Sequence, residues 1–414
     1  MSGSGGSGKL RVLIAGGGVA GLEALLALSK MAGDRIELTL LAPEPDFVYK
    51  PLLVEEPFAA GPAERHELAP IAEENGASLV RGSLSGVRTE EQIADLADGS
   101  ELPYDALLVC VGGRFSPAFE QAVTFPGPEP LEIDQLVKQA VVTDGSRVAF
   151  VVPPRVAWPL PIYELALMTE RRARELGEEV EIVVVTPESS PLILFGTSAS
   201  EAVTELLSGR GIAVEAAARV RKITDGALVL APGDRRLDAG AVVALPDMKG
   251  PRIAGLPSDE RGFIPIDEHA QVKGTADVYA AGDGTNFPIK QGGLGTQQAD
   301  AAAEEIASRA GAKIEPEPFH PILRGMLLTG DESISMQKDI TGGAGEGSAS
   351  PDWLWWPPQK IGGRFLAAWL GHEEPHDLEP PRRPLSVEIA LPKEWHEQPM
   401  ALDPYGTASR STES

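Results

Sequence analysis

A glycine-rich turn near the amino terminus constrains the fold of this chain more than any other feature. The apolar run at residues 11–15 stops at glycines, and an apolar segment of helical length follows at 22–31. Gly16, Gly18 and Gly21 form a Gly-x-Gly-x-x-Gly pattern between them. In such a turn the first glycine permits the sharp bend, the second lets a pyrophosphate approach the backbone, and the third allows close packing of helix on strand. The pattern predicts a dinucleotide site at the helix start, where N–H groups and the helix dipole attract phosphate. A turn that merely joins strand to helix is the alternative.

Other residues around this turn are candidates for the same site. The backbone of Val19 and Ala20, at the start of the helix, is expected to contact phosphate as well. The usual fingerprint has an acidic residue at the end of the second strand that binds the ribose hydroxyls. Ala42 occupies that position here, so Glu44, two residues later, is the candidate. A solvated loop carboxylate is the alternative interpretation of Glu44.

The alternation of strands and helices begins twice along the chain. In order, the predicted segments are strands at 36–41, 78–80 and 106–111, a new strand at 147–152, a helix at 162–176, a strand at 181–185, a helix at 198–208, a strand near Ile212, a hairpin-like return at 220–230 and 237–245, a strand at 277–283 and a helix at 293–310. Such alternation is typical of parallel sheets. The sequence therefore predicts an α/β fold with two Rossmann-like domains, the second inserted in the first, plus a C-terminal segment.

Composition excludes several classes of function. The formal net charge of −25 would repel nucleic-acid phosphates and anionic lipids, which argues against both as partners. No run approaches the ~20 apolar residues that span a bilayer. Residues 1–9 lack the apolar region of a secretory signal, so we expect a cytoplasmic protein without an integral membrane segment. The six histidines show no metal-ligand spacing. Cys110 is the only cysteine, so neither an intrachain disulfide nor a redox pair of thiols can form.

Four segments, in this order, resemble the flavoproteins that have two dinucleotide-binding domains. They are residues 16–23 (GGGVAGLE), 47–53 (FVYKPLL), 104–113 (YDALLVCVGG) and 278–283 (VYAAGD). The chain is similar to pyridine nucleotide-disulfide oxidoreductase-like proteins, and by pattern most similar to sulfide:quinone oxidoreductases, flavocytochrome c sulfide dehydrogenases and type II NADH dehydrogenases. The resemblance implies FAD as the cofactor, with Asp283 on its ribityl and pyrophosphate portion. The helix after Asp283 would then direct its N-terminus at the flavin, where its dipole stabilises the anionic reduced form. Further FAD contacts are expected from Lys50, Leu84 and the backbone of Val111 and Gly112.

The order of the predicted segments along the chain gives the predicted domain boundaries. These are a flexible leader at 1–9, an FAD-binding domain at 10–114 and 246–312, a second Rossmann-like domain at 115–245, a C-terminal interface or flavin-covering segment at 313–372, and a proline-rich tail at 373–414 that is expected to be partly disordered.

The second Rossmann-like unit departs from enzymes that use NAD(P)H. In such enzymes the strand at 147–152 would be followed by another Gly-x-Gly-x-x-Gly, but residues 153–164 read PPRVAWPLPIYE. Proline has no N–H to offer a phosphate, and Trp158 obstructs the approach that glycine permits. The turn is similar to that of the sulfide-oxidising relatives, which have lost the nicotinamide site. Those relatives attack sulfide with cysteines, and the single Cys110, flanked by valines and interpreted as a small buried thiol, argues against that route.

Three residues are candidates for catalysis. Glu164 matches a glutamate that faces the active cleft in many relatives, and Tyr163 precedes it; a glutamate in the first turn of a helix is also ordinary. Lys290 precedes the helix expected beside the flavin, where a cation would stabilise charge that develops on reduction. An exposed loop lysine is the alternative. Gln297 and Gln298, at the start of that helix, loosely match the glutamine that quinone-reducing relatives present to the acceptor.

A cluster of aromatic residues near the carboxyl end has two interpretations. Either these residues cover the flavin or line an acceptor tunnel, or they form a core or dimer contact, which is the expected role. They are Trp353, Trp355, Trp356, Phe365 and Trp369. A homodimer is therefore left open.

The sequence thus favours an FAD-dependent oxidoreductase. It would take two electrons from an unidentified small-molecule donor in the cleft between the domains and pass them to a quinone-like or other small acceptor. One alternative is an NAD(P)H:acceptor reductase of the NADH dehydrogenase type that holds the nicotinamide without a glycine loop. The other is a flavin-binding or electron-carrier protein without catalysis, since the sequence shows no nucleophile and no paired acid and base.

Overall fold

The computed structural model describes residues 8–58, 61–127, 130–142, 147–156, 158–224, 226–340 and 347–372. Most of the predicted leader and the whole predicted tail at 373–414 lie outside the described residues. Within the described part of the chain, two five-stranded parallel sheets form the centres of two Rossmann-like units. The predicted α/β class and the two Rossmann-like domains are confirmed.

The strands follow the chain in four groups. The first group is β1 (Leu10–Ala15), β2 (Ile36–Ala42), β3 (Asp46–Val48), β4 (Arg65–Glu67), β5 (Ala77–Arg81), β6 (Leu84–Arg88), β7 (Ile93–Leu96), β8 (Glu101–Pro103) and β9 (Ala106–Val109). The second is β10 (Arg114–Ser116), β11 (Val123–Thr124), β12 (Arg147–Val151), β13 (Glu181–Val185), β14 (Ala213–Glu215), β15 (Arg219–Thr224), β16 (Ala227–Ala231), β17 (Arg235–Asp238), β18 (Ala241–Ala244) and β19 (Asp247–Lys249). The return strand is β20 (Val278–Ala280), and the last group is β21 (Ile322–Leu327), β22 (Ile334–Asp339) and β23 (Ser348–Ser350).

The helices connect these strands and cover both sheets. They are α1 (Val19–Ala32), α2 (Leu68–Glu74), α3 (Ile133–Val142), α4 (Leu160–Leu176), α5 (Thr197–Gly209), α6 (Gly292–Arg309) and α7 (Leu366–Leu370). The 3₁₀ segments are Gly33–Arg35, Lys50–Phe58 and Ile193–Phe195.

The first sheet has the strand order β20-β9-β1-β2-β5, and all its neighbours are parallel. Strands β9 and β20 and most of β1 and β2 are buried, as expected for the inner part of a parallel sheet, whereas the edge strand β5 is partly exposed. Ala15 of β1 pairs with Leu41 on one side and with Val109 on the other, so these strands end at the same edge. The chain segments that follow β1, β2, β9 and β20 therefore meet at that edge, where ligands bind in open α/β sheets.

The second sheet has the order β11-β18-β12-β13-β14 and is also parallel. Its strands come from the part of the chain that lies between β9 and β20 of the first sheet. An antiparallel sheet of β15, β16 and β17 packs against it through apolar side chains such as Val220 and Leu228.

The predicted strand at 237–245 is wrong, because two different strands occupy this range. β17 ends at Asp238 and belongs to the antiparallel sheet, whereas β18 is a buried apolar strand that pairs in parallel with β12. The backbone turns between them, where the Ala239 N–H binds the Gly226 carbonyl and the Gly240 N–H binds the Arg147 carbonyl. Residues 237–245 are apolar except for Asp238 and Gly240, and this short interruption gives only a weak signal for a turn.

The third segment is an antiparallel sheet of β21, β22 and β23, followed by an irregular stretch that ends in α7. Strand β21 packs on α4 of the second unit and on α6 of the first. Among the described residues, no helix is both long enough and apolar enough to cross a bilayer.

The glycines of the first turn are required by close packing. A Cβ at Gly21 would lie 1.8 Å from the Gly16 carbonyl oxygen, and one at Gly16 would lie 2.3 Å from the Cys110 carbonyl oxygen. Gly16 also has φ +122°, which L side chains rarely adopt. A Cβ at Gly18 would meet no atom within 4 Å, so this glycine faces open space. The first and third glycines thus serve the fold, and the second leaves the turn accessible.

We predict that Gly21→Ala destabilises the protein by about 3 kcal/mol, because the added methyl group must displace backbone rather than a flexible side chain. Gly18→Ala is the matched control and should cost less than about 1 kcal/mol, the scale of a change at a helix N-cap. Urea unfolding of both variants without added ligand measures the difference. Equal stability of the two variants would contradict this account of the turn.

Candidate functional site

A cleft of about 1020 Å³ lies at the carboxyl edge of the first sheet and extends between the two units. The third segment contributes Gly325, Met326, Lys360 and Ile361 to its wall. Nearly all the predicted site residues line this cleft. They are Gly16, Gly18, Val19, Ala20, Glu44, Lys50, Leu84, Val111, Gly112, Glu164, Asp283 and Lys290.

The end of the cleft beside α1 has the features of a dinucleotide site. The N-cap residue of α1 is Gly18, which has no side chain to cap the helix and is followed by apolar residues only in the first turn. Open space in front of Gly18 leaves room for a phosphate, and the helix start supplies N–H donors and a partial positive charge. Glu44 is exposed and lines the cleft beyond Ala42, within the same lining as the glycine turn. The residues present therefore fit a dinucleotide.

Asp283 and Lys290 are close enough for their charges to influence each other. Asp283 is half-buried at the cleft wall, and burial raises the pKa of its carboxyl group, against the lowering effect of Lys290 and Lys50. Lys290 is 8% exposed, so it is not the exposed loop lysine of the alternative interpretation. Its ammonium group donates to the Thr285 carbonyl and lies 3.9 Å from the centroid of the Phe263 ring.

The protonation of Lys290 is finely balanced. Burial lowers the pKa of Lys290 to about 7, although Asp283 and Asp259 act in the opposite direction. An ordinary exposed lysine would be fully charged at neutral pH. Lys290 can therefore gain or lose a proton near neutral pH at the cleft wall, as many functional lysines do.

Glu164 forms a buried ion pair with Lys360, a residue that the sequence analysis missed. The Lys360 ammonium lies 2.8 and 2.9 Å from the two Glu164 carboxylate oxygens and also donates to the Pro51 carbonyl at 2.9 Å. The Leu328 N–H donates to Glu164 at 2.9 Å. Burial raises the pKa of Glu164, and Lys360 opposes this shift. The two residues are 196 positions apart, so no spacing in the sequence signals the pair.

Tyr163 points away from the cleft although it is next to Glu164, because successive helix residues face about 100° apart. Its hydroxyl group donates to Glu188 Oε2 at 2.7 Å, and Thr186 donates to the same oxygen at 3.0 Å. Burial raises the pKa of Glu188 to about 7. Glu188 follows β13, where the acid that binds a nucleotide ribose stands in a Rossmann unit. Here the carboxyl group at that position accepts hydrogen bonds from Tyr163 and Thr186.

The proline-rich turn before α4 narrows the cleft on the side of the second unit. Arg155, Val156 and Trp158 line the cleft, and Trp158 packs edge-on against Phe195 with the ring centroids 5.7 Å apart. Pro159 is the N-cap residue of α4, so this helix start differs from the open glycine turn of α1. The steric and chemical obstacles expected from the sequence are present.

Cys110 packs against the glycine turn at the cleft wall and is a poor candidate for a nucleophile. It is buried, and this burial raises the pKa of its thiol group to about 12. A thiol with such a pKa stays protonated at neutral pH and is a poor nucleophile.

The side chains of Gln297 and Gln298 on α6 form hydrogen bonds with backbone groups of neighbouring segments. Gln298 accepts the Gly282 N–H at 2.8 Å, and Gln297 makes two hydrogen bonds to the backbone of Ile322 at 2.8 and 2.9 Å.

The tryptophans have structural surroundings of their own. Trp355 is buried and donates to the Gln359 carbonyl at 2.9 Å, whereas Trp353 and Trp356 are 46% and 53% exposed. Trp369 packs edge-on against His66 with the ring centroids 5.1 Å apart. Among the described residues, these side chains are absent from the cleft lining, so the interpretation that they cover the flavin is not supported.

Comparison with known proteins relates part of the chain to a family. A model of the family described as pyridine nucleotide-disulphide oxidoreductase matches residues 163–305. This range extends from α4 through most of α6 and includes the return of the chain to the first sheet.

Solved structures share the fold over most of the chain. The sulfide:quinone oxidoreductase of the hyperthermophilic bacterium Aquifex aeolicus matches with a TM-score of 0.75 at 18% identity, over 83% of this chain and 87% of that chain. A ferredoxin reductase from Rhodopseudomonas palustris matches with a TM-score of 0.58 at 20% identity, over 82% and 87%. A NAD-dependent persulfide reductase from A. fulgidus matches with a TM-score of 0.58 at 18% identity, over 79% of this chain and 64% of that longer chain.

These matches agree with the order of motifs, the two parallel sheets and the cleft between them. The resemblance predicted from the sequence is thereby confirmed: residues 163–305 match the pyridine nucleotide-disulphide oxidoreductase model, and most of the chain shares the fold of these oxidoreductase structures.

Proposed function

We propose that this protein binds FAD and transfers two electrons from a small donor, held between the two units, to a quinone-like or other small acceptor. The observation that carries the proposal is one continuous cleft. It runs from the open glycine turn at Gly18 to two buried charged groups, Lys290 and the Glu164–Lys360 pair.

The residues that would hold FAD line the cleft from the glycine turn toward α6. The α1 start would hold the pyrophosphate, Glu44 the ribose, and Asp283 the polar chain that leads to the ring system. Lys50, Leu84, Val111 and Gly112 supply the remaining lining at this end. When bound, FAD supplies the two-electron redox chemistry that the side chains lack.

A nicotinamide dinucleotide is not the donor that this cleft fits. Its phosphates would need N–H donors at the start of α4, where Pro159 and Pro161 stand and Trp158 fills the approach. Its ribose would need the acid after β13, but Glu188 already accepts a hydrogen bond from the Tyr163 hydroxyl group. Two independent parts of the second unit thus disfavour NAD(P)H.

The charged residues have distinct roles in the proposal. Lys290 supplies a positive charge in a buried part of the cleft, where charge stabilisation is strong because water is excluded. Glu164 contributes a carboxyl group to the cleft wall that is paired with Lys360, and burial and Lys360 act on the pKa of this group in opposite directions. Tyr163 packs inside the second unit and is not among the residues that line the cleft.

The acceptor is proposed from the apolar part of the cleft. The side chains there are Leu53, Val54, Phe125, Trp158, Phe287 and Met326. A planar apolar molecule with a few polar atoms suits such a lining. The similar structure from Aquifex aeolicus is named a sulfide:quinone oxidoreductase, which favours a quinone as the first acceptor to test.

An anaerobic experiment separates this proposal from its alternatives. We predict that NADH and NADPH leave the visible absorption of the oxidised, FAD-loaded protein unchanged. After reduction with dithionite, a water-soluble quinone should reoxidise the protein at a rate that saturates with quinone. This reoxidation should be about tenfold or more faster than the reoxidation of free reduced FAD by the same quinone, because the protein holds the acceptor in a site. Rapid bleaching by NADH would contradict the proposal. A protein that reacts no faster than free FAD with quinones and other small acceptors would be a carrier.

Lys290→Met tests the electrostatic role of the buried cation. We predict that it lowers the two-electron midpoint potential of the bound flavin by about 30–60 mV, equivalent to about 1.4–2.8 kcal/mol. The pKa of Lys290 is about 7 and its cation exists below that value, so the difference from wild type should be largest below pH 7 and shrink above it. Lys222→Met, at an exposed position of β15, is the matched control. Identical midpoint potentials of the wild type and Lys290→Met at pH 6 would contradict the electrostatic role of Lys290.

A further inference from the structure

Residues 360–366 form a segment, here called the strap, that packs across the N-terminal parts of α1 and α6. Lys360 binds Glu164 and the Pro51 carbonyl, and the Ile361 N–H donates to the Tyr49 hydroxyl oxygen at 2.9 Å. The Thr296 hydroxyl donates to the Gly362 carbonyl at 2.9 Å. The strap is thus tied to the first unit, the second unit and α6.

The strap packs closely against α6 and α1. A Cβ at Gly292 would lie 2.7 Å from Ile361 Cδ1, and a Cβ at Gly363 would lie 2.7 Å from Glu23 Oε2. Lys360 and Ile361 both line the cleft. The position of the strap therefore decides the shape of the cleft wall beside the start of α6.

A buried carboxylate holds the far end of the strap. Glu23 lies on α1, two residues after Gly21, and is fully buried. Its two oxygens accept the N–H groups of Phe365 and Leu366 at 2.8 and 2.7 Å. Hydrogen bonds from backbone N–H groups favour the charged form of a carboxyl group.

A second carboxyl group lies against the first. Asp300 on α6 is buried beside Glu23 and shares a side-chain hydrogen bond with it, while Asp300 Oδ1 has no hydrogen-bond partner among the described residues. Burial raises the pKa of both groups, and the charge of Glu23 raises that of Asp300 further. Two adjacent buried carboxylates cannot both ionise cheaply, so Asp300 keeps a proton while Glu23 remains the acceptor of the backbone N–H groups.

The charges around this carboxyl pair come from each element packed against it. From α6, Glu304 adds a negative charge that raises the pKa of Asp300. From the strap, Arg364 adds a positive charge that lowers it, and its guanidinium group lies 3.4 Å from Glu304. From the N-terminal end of α7, the backbone N–H groups face Glu23. One cation therefore faces three acidic groups, which is consistent with a retained proton.

We propose that Glu23 is a positioning residue for the redox cleft, because it holds the strap in place through its hydrogen bonds to the N–H groups of Phe365 and Leu366. We call these two hydrogen bonds the clasp, and the proton shared with Asp300 keeps the clasp intact. This inference rests on the proposed function for its consequence, because the strap carries Lys360 to Glu164. Loss of the shared proton places two negative charges together in a buried site and favours opening of the strap.

The direction of the pH dependence follows from the raised pKa values. A group whose pKa is higher in the closed form stabilises that form at low pH and loses this contribution as the pH rises through its value in the closed form. The clasp is therefore most stable at low pH and weakens as the pH rises. Between the pKa of the pair in the open form and its higher pKa in the closed form, each pH unit shifts the opening equilibrium about tenfold.

Hydrogen–deuterium exchange of the FAD-loaded protein tests the clasp without any substrate. We expect the protection of the Phe365 and Leu366 amides, corrected for intrinsic exchange, to fall about tenfold or more between mildly acidic and alkaline pH. Asp300→Asn should abolish this fall, because the neutral amide carries no charge to repel Glu23. Glu23→Gln should reduce protection at every pH, since its amide offers a single acceptor oxygen. Glu73→Gln, exposed on α2, is the control and should behave as wild type.

The outcomes separate this inference from the proposed function. Protection that is independent of pH in the wild type, or a fall that persists in Asp300→Asn, would overturn the clasp. If the clasp behaves as expected, Glu23→Gln should also raise KM for the quinone more than it lowers kcat, because it disturbs the cleft wall rather than the reacting groups. A normal clasp in a protein that reduces no quinone would refute the proposed function and leave the clasp standing.

Discussion

The close approach of the α1 start to the end of β1 is the constraint on which the rest of the structure depends. Side chains at Gly16 and Gly21 would collide with backbone atoms, so only glycine lets the helix start this near the sheet edge. The approach leaves the N-terminal N–H groups of α1 at the edge where four parallel strands end. Both the cleft and the contact of α1 with α6 follow from this geometry.

Buried charge is concentrated around the cleft and is compensated locally. Lys290 interacts with Asp283 and Asp259, Glu164 pairs with Lys360, and Glu23 accepts two backbone N–H groups. Isolated charges in such places would be costly, so each arrangement depends on its partners staying in place. The strap at 360–366 takes part in two of the three. A single segment thus couples the wall of the cleft to the core of the first unit.

The sequence predicts features of the fold that arise from local pattern. The glycine turn, the alternating strands and helices and the missing second glycine loop depend on neighbouring residues, and so they were recognisable. Partners distant in the chain were not, because Lys360 and Glu164 meet only through the third segment. Residues that are adjacent in the sequence can also point in different directions, since Glu164 lines the cleft and Tyr163 does not. A turn within an apolar run, as at Ala239, carries too weak a local signal to divide two strands.

The central claim is that one dinucleotide flavin lies along the cleft with its phosphates at the start of α1. The most direct measurement is the binding stoichiometry of the purified apoprotein for FAD and for FMN by isothermal titration calorimetry. The account predicts one FAD per chain and much weaker binding of FMN, which lacks the adenylate half that the glycine turn and Glu44 would hold. A protein that binds no flavin, or that binds FMN as tightly as FAD, would contradict it.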